Sequence, residues 1–248
     1  MPGVGRLLAA LVFPPGIIMV TLTGIDLCTT SFMFTSIAVF HQRLSIWRAL
    51  LHWVISFFGN LAGALFMVCV IFGYGGSFDS DPWKTALANF ATTRQVKPTW
   101  PMLFLRGIGC NWLVCLGCFF AMQGRGLVAK AVALYIPIFT FVVLSFDHVV
   151  ANMFFIPMSI WVGHPSVTIG LYIWKGILPV LMGNILGGSV MCGAYHHLMY
   201  SWRTPEHEPA ALSPKSDLES GLSRRPSSLT CVVTETGSAA TAQIVPKD

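Results

Sequence analysis

Three side chains able to exchange protons or hydrogen bonds, Asp147, His148 and Asn152, sit in the run Ser145-Phe146-Asp147-His148-Val149-Val150-Ala151-Asn152-Met153-Phe154-Phe155, which is otherwise apolar. The apolar segment around them, about residues 131–162, is longer than one bilayer crossing. A carboxylate at the centre of hydrocarbon costs about 2.5–3.5 kcal/mol on insertion scales, so these groups must face a cavity, a partner or a pore. Histidine changes charge between about pH 5 and 8, and in that setting His148 can donate a hydrogen bond to an anion or hand it a proton. A core histidine satisfied by Asp147 and a backbone carbonyl is the competing structural role.

A second polar interruption lies near the amino terminus. Within the apolar run 7–40, Pro14-Pro15-Gly16 is followed by Thr21-Leu22-Thr23-Gly24-Ile25-Asp26-Leu27-Cys28-Thr29-Thr30. Helix breakers, hydroxyls and a carboxylate together read as two half-helices around a polar break. A Pro-kinked helix whose threonines bond back to their own carbonyls is consistent with the same residues.

The elements that must position these groups are membrane spans. Of 248 residues, 54% are hydrophobic and only 10% charged, with mean hydropathy +0.69, which marks a polytopic membrane protein. Further spans are expected at about 49–74, at about 103–122 with Asn111 as its strongly polar group, and at about 168–200. Residues 75–100 read as a polar external loop. Gly59-Asn60-x-x-Gly63-Ala64 and Gly183-Asn184-x-x-Gly187-Gly188 repeat one pattern, each in the span after an interrupted span. Paired interrupted spans in two halves point to a substrate site near the midplane. The second half reads plain span, broken span, Gly-Asn span. The first half reads only broken span and Gly-Asn span, so a shortened amino terminus with five of six spans is expected.

Arg43 and Arg48, Arg125 and Lys130, and Arg203 fall at one end of the bundle, which places that end and the carboxyl terminus in the cytoplasm. The domain boundaries are 1–203 for the transmembrane domain and 204–248 for a disordered Ser/Thr/Pro-rich cytoplasmic tail. A net charge of +5 is too mild to point to nucleic acid. The seven cysteines show no disulfide framework; Cys115 and Cys118, one turn apart, read as small packing residues and not as a metal site. No nucleophile–base pair, metal cluster or phosphate loop is recognisable, so neither an enzyme nor a cofactor is expected.

Four ordered stretches, FGNLAGALF at 58–66, LRGIGCNWLVCL at 105–116, FDHVVANMFFIPMSI at 146–160 and PVLMGNILGGSV at 179–190, resemble the formate/nitrite transporter family, in its fungal type, over about residues 1–203. The resemblance implies an all-α, aquaporin-like bundle of inverted three-span repeats with two interrupted helices. It also implies a homopentamer with one pore per protomer, multi-pass in the plasma membrane, and substrates that are small monovalent anions, nitrite or formate first, moved with a proton.

By position, His148 matches the family's central pore histidine, Asn152 the polar residue one turn on, and Thr29 the threonine of the interrupting loop that lies near that histidine. Asn111 and Asn184 match polar positions near the pathway, and Lys97 the basic residue of an entrance vestibule. Leu27, Val114 and Phe141 correspond to apolar constrictions. Two departures accompany these matches: Asp147 replaces the usual Glu, and Cys28 stands where a bulky aromatic is common. A non-transporting subunit that modulates full-length pentamers, and a neutral small-solute channel, are the alternative functions.

Overall fold

The computed structural model describes residues 2–200; the tail assigned to 204–248 lies outside the described residues. Among the described residues every regular element is helical: α1 (Pro2–Val12), α2 (Pro14–Thr23), α3 (Cys28–Phe40), α4 (Ile46–Gly73), α5 (Trp83–Ala91), α6 (Trp100–Gln123), α7 (Leu127–Val143), α8 (Val149–Trp161) and α9 (Ile169–Tyr200). Four stretches, Gly3–Thr23, Ile46–Gly73, Trp100–Gln123 and Ile169–Tyr200, are long and apolar enough to cross a bilayer. The shorter α3, α7 and α8 complete the interrupted spans.

Both breaks follow the same backbone plan. Helix α2 ends on Gly24, whose φ of 77° is the left-handed conformation that glycine adopts without a Cβ clash. Helix α7 ends near Ser145, also left-handed at φ 60°. Two residues later comes an aspartate, Asp26 or Asp147, and then one extended residue, Leu27 or His148, that caps the next helix. The first break therefore aligns Asp26 with Asp147 and Leu27 with His148.

A broken helix at membrane depth leaves backbone groups without partners, and each such group costs free energy in hydrocarbon. The repeated Gly-Asn motifs supply the partners. Asn60 Oδ1 accepts from the Cys28 N–H at 2.9 Å and its Nδ2 donates to the Asp26 carbonyl at 2.9 Å. Asn184 does the same at the other break, accepting from the Val149 N–H at 2.9 Å and donating to the Asp147 carbonyl at 3.2 Å. Asn184 donates also to the Gly107 carbonyl at 2.8 Å, tying the clamp to α6.

Helices α6 and α9 approach at backbone contact. A Cβ on Gly183 would sit 2.3 Å from the Phe104 carbonyl oxygen, and one on Gly187 2.4 Å from that of Ile108. The motif's spacing thus permits a helix crossing that no larger residue allows.

The segment 75–100, expected as a loop, contains α5 and a π-helical continuation over Thr92–Val96. Its mixed charge hid an amphipathic helix whose Leu87 and Ala91 are buried. The wide turn directs Arg94 and Gln95 inward; Gln95 Nε2 donates to the Leu171 carbonyl at 2.7 Å, and Lys175 Nζ donates to the Val96 carbonyl at 2.9 Å.

Asn184→Ala is expected to lower folding stability by about 3 kcal/mol, since it strands fully buried backbone groups, whereas Asn60→Ala, at a half-exposed clamp, costs about 1 kcal/mol. Thermal unfolding of the detergent-solubilised variants measures both; equal losses contradict this ranking.

Candidate functional site

Two cavities open at opposite ends of α6. One, of about 920 Å³, is lined by Arg6, Arg94, Arg106, Phe141, Asp147, His148 and Asn152, among others. The other, of about 400 Å³, is lined by Asp26, Leu27, Thr30, Ser31, Ala121 and Lys130, among others. Arg106 and Ala121 are about 22 Å apart at the helical rise per residue, so the cavities approach a bilayer's core from its two faces. Helix α2 runs from the arginine cavity towards the lysine cavity, and α7 runs the other way. The two broken spans are therefore inverted relative to each other.

Each break presents its capping residue to its own cavity: Leu27 to the lysine side and His148 to the arginine side. Between them, His148 Nε2 lies 2.9 Å from Thr29 Oγ1, and Thr29 is fully buried. The ring's other nitrogen accepts from the Ala151 N–H at 3.3 Å. With Nδ1 engaged as acceptor, a neutral ring carries its proton on Nε2, facing the threonine. The threonine hydroxyl, once it accepts from Nε2, keeps its own proton free for a further acceptor.

The remaining residues expected at the site divide into two groups. Val114 and Phe141 share an apolar cluster with Ile17, Cys110 and Ile138, and the Phe141 ring centroid lies 6.2 Å from that of His148. Asn152 lines the arginine cavity and donates to the Gly176 carbonyl at 2.9 Å. Asn111 and Asn184 are both fully buried and committed to backbone. Asn111 donates to the Thr29 carbonyl at 2.9 Å and the Asn184 carbonyl at 2.6 Å, so both asparagines hold the breaks in place. Cys28 packs with Phe32, Val149 and Met153, away from the cluster of Val114 and Phe141.

Lys97 is exposed and lines neither cavity. Arg94, one turn earlier, points inward instead. Its Nη1 donates to the Ser145 carbonyl at 2.6 Å, the Phe146 carbonyl at 3.0 Å and Asp147 Oδ1 at 3.4 Å. Its guanidinium carbon lies 5.5 Å from the Phe90 ring centroid, which helps to fix its direction. Arg106 Nη1 stands 3.8 Å from Asp147 Oδ2. Asp147, only 2% exposed, is thus compensated by two permanent cations. Neither arginine emerged from sequence reasoning, although Arg106 is an ionised residue inside the 103–122 span, a place where a charge demands a partner.

The chain matches the family model described as formate/nitrite transporter over residues 1–198. The chain belongs to the formate/nitrite transporter family. It is 33% identical over 211 residues to a probable formate transporter of Methanothermobacter thermautotrophicus, covering 80% of this chain and 76% of that one. Its fold is similar to a pentameric formate channel with formate bound, at TM-score 0.66 and 27% identity, covering 80% of this chain and 84% of the other. A second solved structure, an ion channel of the same family, aligns at TM-score 0.75 and 27% identity over 83% of this chain and 80% of its own. The family consists of membrane transporters and channels, and the helical, twice-interrupted architecture expected from the repeat is the one these neighbours share.

Arg94→Met is expected to destabilise the protein by about 3 kcal/mol, because it leaves a buried carboxylate short of one partner. The double variant Arg94→Met/Asp147→Leu should recover part of that loss in a thermal-unfolding double-mutant cycle. Strict additivity of the two single changes argues against the pairing.

Proposed function

We propose that this protein carries small monovalent anions, formate and nitrite first among them, across a membrane together with a proton, through His148. The observation that carries this reading is the buried Thr29–His148 hydrogen bond, which joins two inverted half-helix starts. The family membership and the formate named for the neighbours support the anion class.

A bare anion leaving water for an apolar passage pays a heavy desolvation penalty. The arginine cavity offsets the first part of that cost. Arg6, Arg94 and Arg106 outnumber Asp147 there, and a positive funnel raises the local anion concentration. Deeper in, the amino-terminal ends of α3 and α8 add partial positive charge, and the Thr29 hydroxyl offers a hydrogen bond.

His148 then sets the protonation step. A charged ring carries an N–H at Nδ1, so protonation gives up the bond from the Ala151 N–H, and an anion beside the ring supplies the compensating interaction. Anion arrival and proton uptake are coupled by that geometry. The ring takes a proton from cavity water and gives its Nε2 proton to the anion. The resulting neutral acid passes Val114 and Leu27, while the ring, left with its proton on Nδ1, regains the Nε2–H form by taking a proton at Nε2 and releasing the one on Nδ1 to cavity water. Acidic pH on the arginine side therefore favours flux.

The same reading takes the protein as a homopentamer, multi-pass in the plasma membrane, with the Lys130 end and the tail towards the cytoplasm.

In proteoliposomes, His148→Phe is expected to remove most uptake of labelled formate or nitrite and to flatten its rise at acidic pH. Unchanged flux with an unchanged pH profile overturns the proton relay. Osmotic swelling in a neutral solute, with no anion flux, would instead make the protein a neutral-solute channel.

A further inference from the structure

The two breaks are built alike but their aspartates are not compensated alike. Asp147 meets two guanidiniums, whose charge no accessible pH removes. Asp26, its counterpart in the repeat, meets an imidazole. His52 Nε2, on α4, lies 3.3 Å from Asp26 Oδ2, and the other carboxylate oxygen accepts from the Ser31 hydroxyl. Asp26 and Ser31 both line the lysine cavity, so His52 acts on that cavity through the carboxylate it meets. The side chains of His52 and Asp26 are 45% and 48% exposed, which leaves room for a proton to come and go.

We propose that Asp26 and His52 form a proton-binding site that sets the charge of the lysine cavity, and with it the admission of small anions from that face. The inference rests on the anion-transport reading for its consequence, though not for the site itself. With His52 neutral, Asp26 cancels Lys130 across the cavity and an arriving anion meets no net attraction. With His52 protonated, the pair is neutral and Lys130 is left to attract the anion. The mouth of the other cavity has no such setting, because its arginines stay charged at any accessible pH and its one histidine, His148, lies at the inner end beside Thr29. The protein is thereby pH-responsive at one mouth and constitutively attractive at the other.

Among the described residues of the elements packed against α4 and of the lysine cavity, no other titratable group competes for this role. Arg48 lies one turn before His52 on α4 and is permanently charged. The elements packed against α4, namely α3 and α8, contribute only Cys28, and α4's own π-helical end contributes Cys69. Across the cavity stand Lys130 and Cys118. Histidine is the side chain of this set that changes charge near neutral pH.

The test fixes the charge at position 52 in both senses. Met122 lines the lysine cavity and is exposed. In a Met122→Cys background, the ratio of modification rates by anionic and cationic methanethiosulfonate reagents reads the local potential without any transport, and thiolate formation cancels in the ratio. Mass spectrometry assigns the modified position. The ratio is expected to rise several-fold from pH 8 to pH 5.5 with His52 present. It should be high and flat in His52→Arg, and low and flat in His52→Gln. Anion flux should follow: His52→Arg faster than the unmodified protein at neutral pH, His52→Gln slower at acidic pH. A purely structural role for His52 shifts both variants in the same direction, and that outcome, or a pH-dependent ratio surviving in His52→Gln, overturns the proposal. If the unmodified protein moves no anion, the transport reading fails, while the modification ratio still decides the site.

Discussion

Backbone hydrogen bonding in a medium without water is the constraint on which the rest of this structure depends. A helix that stops at membrane depth strands N–H and C=O groups, and nothing in the lipid can satisfy them. Asn60 and Asn184 take over that role with one acceptor and one donor each, set on the neighbouring helix at the position the Gly-Asn motif dictates. The glycines around the second asparagine let α6 come close enough for the same side chain to bind a third backbone group. Once the breaks are held, the extended residue in each is free to present its side chain to a cavity.

That arrangement also explains why the two halves, so similar in backbone, differ in chemistry. The capping position holds a leucine in one break and a histidine in the other. The aspartate before it meets a histidine in one and two arginines in the other. The scaffold is duplicated, and the difference between the two cavities comes from what is not. A positive cavity and a central hydrogen-bonding pair follow one another along the line of α6, and the proposed transport reading takes Val114 and Leu27 as the apolar barrier beyond them.

Arg94 shows how far a loop can matter. It leaves the wide π turn after α5, crosses to the second break and bonds two carbonyls there as well as the aspartate. These carbonyls lie just beyond the end of α7, where partial negative charge accumulates, so a cation there is favourable twice over. Arg106 completes the compensation from α6, and the same two guanidiniums line the cavity and keep it positive. Structural and electrostatic duties fall on the same residues because a buried charge must be paired wherever it serves.

The membrane class, the two breaks, the repeat and the unusual presence of Asp147, His148 and Asn152 were legible in the chain, since hydropathy, helix breakers and the cost of burying polar groups are local properties. The family resemblance rested on the same local signals. Partner choice was not legible. Which cation meets Asp147, that Asn111 and Asn184 spend themselves on backbone, that Lys97 faces outward while Arg94 turns in, and that Asp26 finds a histidine all depend on contacts between residues far apart in the chain. Periodicity shows which face of a helix is apolar, but only the packed bundle brings one helix's donor within 3 Å of another's carbonyl.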